Sequence, residues 1–220
     1  MTLITKRTYK EEVMAKVVLV DDHPAIRLAI KVLLQQEGHE IVGETGNGVE
    51  AVSIVRAHAP EIVILDIGIP QLNGLEVISR VKTMSPKPRI LILTSQPAEL
   101  FAARCLKAGA NGFITKDESL TELQRAIKAL ISGYSFFPDI VLNTDNPSST
   151  NSSESELLKS LSNREIMVLK RLVIGQSNIE IARDLLLSNK TVSTYKTRLI
   201  MKLNATSLVD LIEIAKRNNI

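Results

Sequence analysis

Residues 62–67 read IVILDI and residues 89–94 read RILILT. Both are apolar at successive positions, whereas a strand with one face in water alternates. Such runs belong in a sheet covered on both sides, the usual state of a parallel sheet. Working outward, three more short aliphatic runs occur at Val17–Val20, Glu40–Glu44 and Gly112–Thr115. Helical periodicity fills the gaps, over roughly 25–37, 47–58, 74–84, 98–108 and 119–132. Gly38, Gly109 and Gly133 follow three of these segments, where a helix end wants positive φ. Five βα units predict one doubly wound α/β domain over residues 16–137, a flavodoxin-like (βα)5 unit.

Beyond it, residues 143–156 read NTDNPSSTNSSESE and offer nothing to a core. Composition of this kind predicts a flexible linker, placed at 138–158. Then the pattern is helical only, over about 162–174, 178–185, 189–203 and 207–217, which predicts an all-α domain at 159–220. Ser162 and Glu165 have capping-box spacing at its first helix. Residues 1–15 are read as an N-terminal extension that does not pack.

The chain has 220 residues, 45% apolar and 3% aromatic, with no Trp. Cys105 is the single cysteine, which excludes an internal disulfide framework and fits a reducing compartment. With no apolar run of membrane-spanning length, a cytoplasmic protein without a membrane partner is expected. The net charge of +3 is uneven. Residues 159–220 carry 11 Lys+Arg against 5 Asp+Glu, and the rest carries 16 against 19. A basic block on an acidic one predicts that the C-terminal part meets a polyanion.

Ligands of open parallel sheets bind beyond the carboxyl ends of the strands. Asp21 and Asp22 follow the first strand, Asp66 ends the third, Thr94 ends the fourth and Lys116 follows the fifth. In strand order 2-1-3-4-5 these side chains converge. Carboxylates in this number suit a hard cation such as Mg²⁺. A carboxylate beside that cation is placed to attack a phosphoryl group. Asp66 is the predicted nucleophile, Asp21 and Asp22 the metal anchors, Lys116 the countercharge and Thr94 a hydroxyl donor. His23, next to the acidic pair, is read as capping the first helix or facing solvent.

VVLVDDHP, IVILDIGIP followed by NGLEV, LILTSQ and AGANGFITK resemble the receiver domain of response regulators over about residues 16–135. The resemblance implies that Asp66 takes its phosphoryl group from a sensor histidine kinase or a phosphotransfer protein. It also implies that the backbone carbonyl of Gly68 completes the Mg²⁺ site, and that Thr94 and Phe113 form a switch pair. Asp117 stands after Lys116 where many receivers have proline. A cis bond without proline costs about 3–4 kcal/mol, so a trans bond is expected there.

In the helical part, Val192, Tyr195, Leu199 and Leu203 fall on one stripe and should face the core. Lys190, Ser193, Thr194, Thr197 and Met201 lie opposite, flanked by Lys196, Arg198 and Lys202. Four bases and no acid over 189–203 suit a helix whose middle reads base edges while its flanks meet phosphates. LSNREIMVLKRLVIGQSNIEIARDLLLSNKTVSTYKTRLIMKLNATSLVDLIEIA resembles the LuxR-type helix-turn-helix, and both halves together resemble the NarL/FixJ class. SNKTVSTYKTRL and KLNATSLV, with DDHP and LDIGIP, are most similar to the BvgA/EvgA group. The resemblance makes Ser193, Thr194 and Thr197 base readers, and Lys190, Lys196, Arg198 and Lys202 phosphate contacts. It implies a transcription regulator rather than an enzyme, acting as a homodimer on promoter DNA with RNA polymerase as a further partner. Two other readings remain. One is a receiver-like regulator that works without phosphorylation. The other is a dinucleotide enzyme, for which Gly46-Asn47-Gly48 with Ala51 supplies G-x-G-x-x-A and Asp66 the ribose carboxylate.

Overall fold

The structure, a computed structural model, describes residues 14–139, 152–218 and 220. The extension expected before Met14 and residues 140–151 of the expected linker lie outside the described residues.

Five strands, β1 (Lys16–Val20), β2 (Glu40–Thr45), β3 (Ile62–Leu65), β4 (Arg89–Thr94) and β5 (Gly112–Thr115), form one parallel sheet in the order β2-β1-β3-β4-β5. Helices α1 (Pro24–Gln36), α2 (Gly48–His58), α3 (Gly74–Val81), α4 (Ala98–Ala108) and α5 (Leu120–Ile131) alternate with them. Alternate residues of each strand supply opposite cores. Val18, Val63, Leu65, Ile90 and Phe113 pack under α2, α3 and α4. Val17, Leu19, Ile64, Leu91 and Ile114 pack under α1 and α5. Both sets are buried, which is why the strands show no polar alternation. Asn47, Asn73 and Ser119 cap α2, α3 and α5 by accepting an N–H three residues on. Gly109 ends α4 at φ 110°, a conformation a side chain would strain.

The second unit comprises α6 (Ser152–Ser160), α7 (Asn163–Val173), α8 (Asn178–Asp184), α9 (Asn189–Lys202) and α10 (Leu208–Arg217). The sequence pattern predicts the last four. The first is a difference, because α6 occupies part of the stretch read as a linker. Its C-terminal turn is held by Leu158, buried in the helical core beside Leu161. Two adjacent apolar side chains, Leu157 and Leu158, at the end of a polar run give no period from which to read a helix, so only packing defines it. Ser162 and Glu165 form the expected capping box, and Ser177 with Glu180 forms another at α8. Val192, Leu199 and Leu203 are buried and Tyr195 is half-buried, as the stripe predicts.

Candidate phosphoryl-acceptor site and nucleic-acid interface

The strand order brings β1, β3 and β4 side by side, so the residues just beyond them meet. Asp66 follows β3 and is 5% exposed, and Asp21 follows β1 at 3%. Two carboxylates so far from water need cationic or hydrogen-bonding partners. The Lys116 ammonium lies 2.6 Å from Asp21 Oδ2 and 2.6 Å from Asp66 Oδ2. The other Asp66 oxygen, Oδ1, accepts from the Thr94 hydroxyl at 2.6 Å and from the Gly68 N–H at 2.9 Å. Burial opposes the charge on Lys116, but the hydrogen bonds and the two carboxylates outweigh it and raise its pKa above the ordinary value.

Asp22 is exposed, and its carboxylate meets His23 Nδ1 at 2.8 Å, a ring atom that is also 3.2 Å from Asp21 Oδ1. His23 is the N-cap residue of α1 but makes no side-chain cap, so its ring belongs to the acidic pair instead. One ligand atom each from Asp21, Asp22, His23 and Asp66 lies within 4.8 Å of the others. Carboxylates at this spacing fit a small hard cation, and the exposed His23 ring has room to leave them. Phe113 is buried in the sheet, one strand from Thr94. The only cis peptide bond among the described residues is Ser85–Pro86, so Lys116–Asp117 is trans, as expected.

The dinucleotide alternative fails on packing. A Cβ at Gly48 would overlap the carbonyl oxygen of Leu72. This glycine therefore admits the loop before α3, leaving no backbone cradle for a pyrophosphate.

On α9, Lys190, Ser193, Thr194, Thr197, Arg198, Met201 and Lys202 are exposed and Lys196 is half-buried. The hydroxyls of Ser193, Thr194 and Thr197 donate to backbone carbonyls four residues back, at 3.1, 3.0 and 3.2 Å. Each keeps acceptor capacity for a base edge, although Ser193 also accepts from Asn178 of α8 at 3.1 Å. Lys202 has a second occupation that spacing did not reveal. Its ammonium lies 2.9 Å from Glu165 Oε2, and Glu165 is 3% exposed. The same carboxylate accepts from Ser162 N–H at 2.6 Å, so it ties the start of α7 to the end of α9. Burial opposes this charge, but the bonds from Lys202 and Ser162 hold Glu165 below the usual carboxylate range.

A group with a depressed folded pKa stabilises the fold above its unfolded value, near 4.3, and loses that contribution as pH falls through the folded value. Thermal stability of the helical domain should fall steeply below about pH 4, and more shallowly in Glu165→Gln. Glu165→Ala should cost roughly 1–3 kcal/mol, because a cap and the Lys202 partner are lost together. Differential scanning calorimetry over a pH series measures both. Identical acid profiles for the wild type and Glu165→Gln would show that the carboxylate is not the acid-labile tie.

The two halves of the chain match two families. Residues 17–128 match the response regulator receiver domain, and residues 159–215 match the LuxR family of bacterial regulatory proteins. The chain belongs to the two-component response regulators that carry a LuxR-type DNA-binding domain, and is a transcription regulator rather than an enzyme. It is 52% identical over 205 residues to the virulence-factor positive transcription regulator BvgA of Bordetella pertussis, covering 93% of this chain and 98% of that one. It is 39% identical over 203 residues to the DNA-binding transcriptional activator EvgA of Escherichia coli, covering 92% and 98%. Among solved structures, one of two RcsB dimers bound to two parallel DNAs matches with a TM-score of 0.54 and 26% identity, over 92% of this chain and 98% of that one. No helix among the described residues is long and apolar enough to cross a membrane.

Proposed function

We propose that Asp66 accepts a phosphoryl group from a sensor histidine kinase or a phosphotransfer protein in the cytoplasm. The phosphorylated chain then binds promoter DNA as a homodimer and contacts RNA polymerase. The observation that carries this reading is the partition of the Asp66 carboxylate: one oxygen faces Lys116, the other faces Thr94 and the Gly68 N–H.

An Asp66 oxygen attacks phosphorus, the new O–P bond forms, and the P–N bond to the donor imidazole breaks. Lys116 pairs with Asp66 before attack and stays within reach of a phosphoryl oxygen afterwards. The Thr94 hydroxyl, now given to Asp66, follows the transferred group, and Phe113 takes up the space so released. Mg²⁺ held by Asp21, Asp22, Asp66 and the Gly68 carbonyl would supply charge neutralisation of the phosphoryl oxygens. The receiver is assigned to residues 16–137 and the DNA-binding domain to 159–220, with 138–158 as the connection, which α6 overlaps. Residues 1–13 are assigned as an extension outside the receiver, whereas Ala15, expected to belong to that extension, is buried in the sheet core and accepts the Glu40 N–H.

On α9, Thr194 and Thr197 read base edges, with Ser193 partly committed to Asn178. Lys190, Lys196, Arg198 and Lys202 neutralise phosphates, Lys202 in competition with Glu165. The reading in which the receiver works without phosphate is disfavoured, because all of Asp21, Asp22, Asp66 and Lys116 are in place.

Incubation with acetyl phosphate and Mg²⁺ should add one phosphoryl mass, mapping to Asp66. It should also shift the protein toward a dimer in sedimentation. Phosphate on another residue, or none, would return the phosphate-independent reading.

A further inference from the structure

The seam between the two domains is rich in cations. Arg104 of α4 donates to the Lys159 carbonyl at 2.8 Å and to Asn163 Oδ1 at 3.0 Å. Arg164 of α7 reaches Glu76 of α3 at 3.4 Å, and Arg171 reaches Asp184 at 3.2 Å. Lys170 of α7 is different. Its ammonium lies 5.9 Å from the centroid of the Phe101 ring, while the Arg104 guanidinium lies 6.0 Å from the same centroid. Among the described residues this ammonium has no hydrogen bond or ion pair. Two cations sharing one ring repel each other, and the ring gives neither of them a counter-ion. Burial pushes Lys170 down to about 8, and burial also lowers Arg104.

Beside Lys170 is a cavity of about 60 Å³, walled among others by Gly68, Gln96, Phe101, Met167 and Arg171. Its receiver wall is the rim of the acceptor site. A Cβ on Gly68 would lie 3.5 Å from Asp66 Oδ1 and 3.6 Å from Gln96 Nε2. The Gln96 N–H donates at 3.3 Å to the Thr94 hydroxyl that holds Asp66. The neighbouring carboxylates are taken: Asp66 by Lys116, Glu76 by Arg164 and Asp184 by Arg171. A phosphoryl group brings about two negative charges and three acceptor oxygens to this wall.

We propose that Lys170, in the DNA-binding domain, senses the phosphoryl group on Asp66 across the seam. Phosphorylation supplies the anion this ammonium lacks, and so tightens the docking of α7 on the loop between β3 and α3 rather than releasing it. The proposal rests on Asp66 being the acceptor. Docking through α6 and α7 leaves the polar face of α9 exposed, so the tightened form remains open to DNA.

The test is the acylation rate of individual lysines in the full chain at pH 8, read by mass spectrometry. The protein is compared with and without phosphoramidate and Mg²⁺, a phosphodonor that does not itself acylate lysine. With Lys170 at about 8, about half of it is neutral at pH 8, and pairing that lifts it to about 9 removes about four-fifths of that neutral amine. Its rate should therefore fall about fivefold on phosphorylation, while that of Lys190 stays constant. Asp66→Asn, treated identically, should show no fall. As a second measurement, Lys170→Arg should keep, and Lys170→Gln lose, a phosphorylation-dependent gain in hydrogen-exchange protection of α7. An unchanged or faster Lys170 rate in protein whose intact mass shows full phosphorylation overturns the proposal and leaves the acceptor assignment standing. An intact mass that never shifts overturns the acceptor assignment, and the proposal with it.

Discussion

Asp66→Asn should take no phosphoryl group from acetyl phosphate or from a cognate kinase, while remaining folded. The amide keeps an oxygen for the Thr94 hydroxyl and the Gly68 N–H, which both donate to Oδ1. It loses the anion that meets Lys116 and the nucleophilic oxygen itself. The structural cost is modest, because Lys116 still has Asp21 at 2.6 Å. The chemical cost is complete, since a neutral amide does not attack phosphorus on this timescale. Asp22→Ala should lose labelling for a different reason. Asp22 pairs with His23 and touches neither Lys116 nor Thr94, so its expected part in the site is to ligate the cation. Removing it should make labelling demand far more Mg²⁺ while leaving the thermal midpoint within a degree or two, since surface substitutions usually fall within about 0.5 kcal/mol. Intact-mass labelling over a Mg²⁺ series separates the two variants. Normal labelling of Asp66→Asn would mean that phosphate goes elsewhere.

Variants on α9 should divide into two classes in DNA-binding isotherms over a salt series. Lys190→Ala should weaken specific and scrambled sites alike, and reduce the salt slope by about one unit per lost phosphate contact per subunit. Thr194→Ala or Thr197→Ala should instead shift base preference, by about 1–3 kcal/mol at the affected position. Lys202 should behave as a hybrid, because its ammonium already serves buried Glu165. Replacing it should lower both the salt slope and the thermal midpoint. A single helix-turn-helix reads a short half-site, so two copies on half-sites about 10 base pairs apart are the expected target. If the lysine variants changed base preference and the threonine variants only salt dependence, α9 would present a different face to the groove.

The clearest local signals were those in which one residue type answers one physical demand. The unalternating runs at 62–67 and 89–94 are what strands covered on both faces require, and the sheet core shows both faces buried. Asp21, Asp22, Asp66, Thr94 and Lys116 were legible because strand-end positions are set by the strands themselves. Ser162 with Glu165 marked a helix start by spacing alone. Each of these depends on neighbours within a few residues in sequence.

What sequence could not supply depends on distant partners. The helix α6 lies in a polar run and is held because Leu157 and Leu158 pack on the core of the helical domain. The pairing of Lys202 with Glu165 joins residues 37 apart, so spacing along α9 showed only a basic flank. The placement of Lys170 against Phe101, at the edge of the acceptor site, is a property of two domains meeting. Sequence alone determined the strands, the caps, the acidic residues at strand ends and the polar stripe of α9, since periodicity and backbone chemistry act locally. Tertiary structure decided which carboxylate each cation serves and which it leaves unserved, because burial and electrostatics act through space.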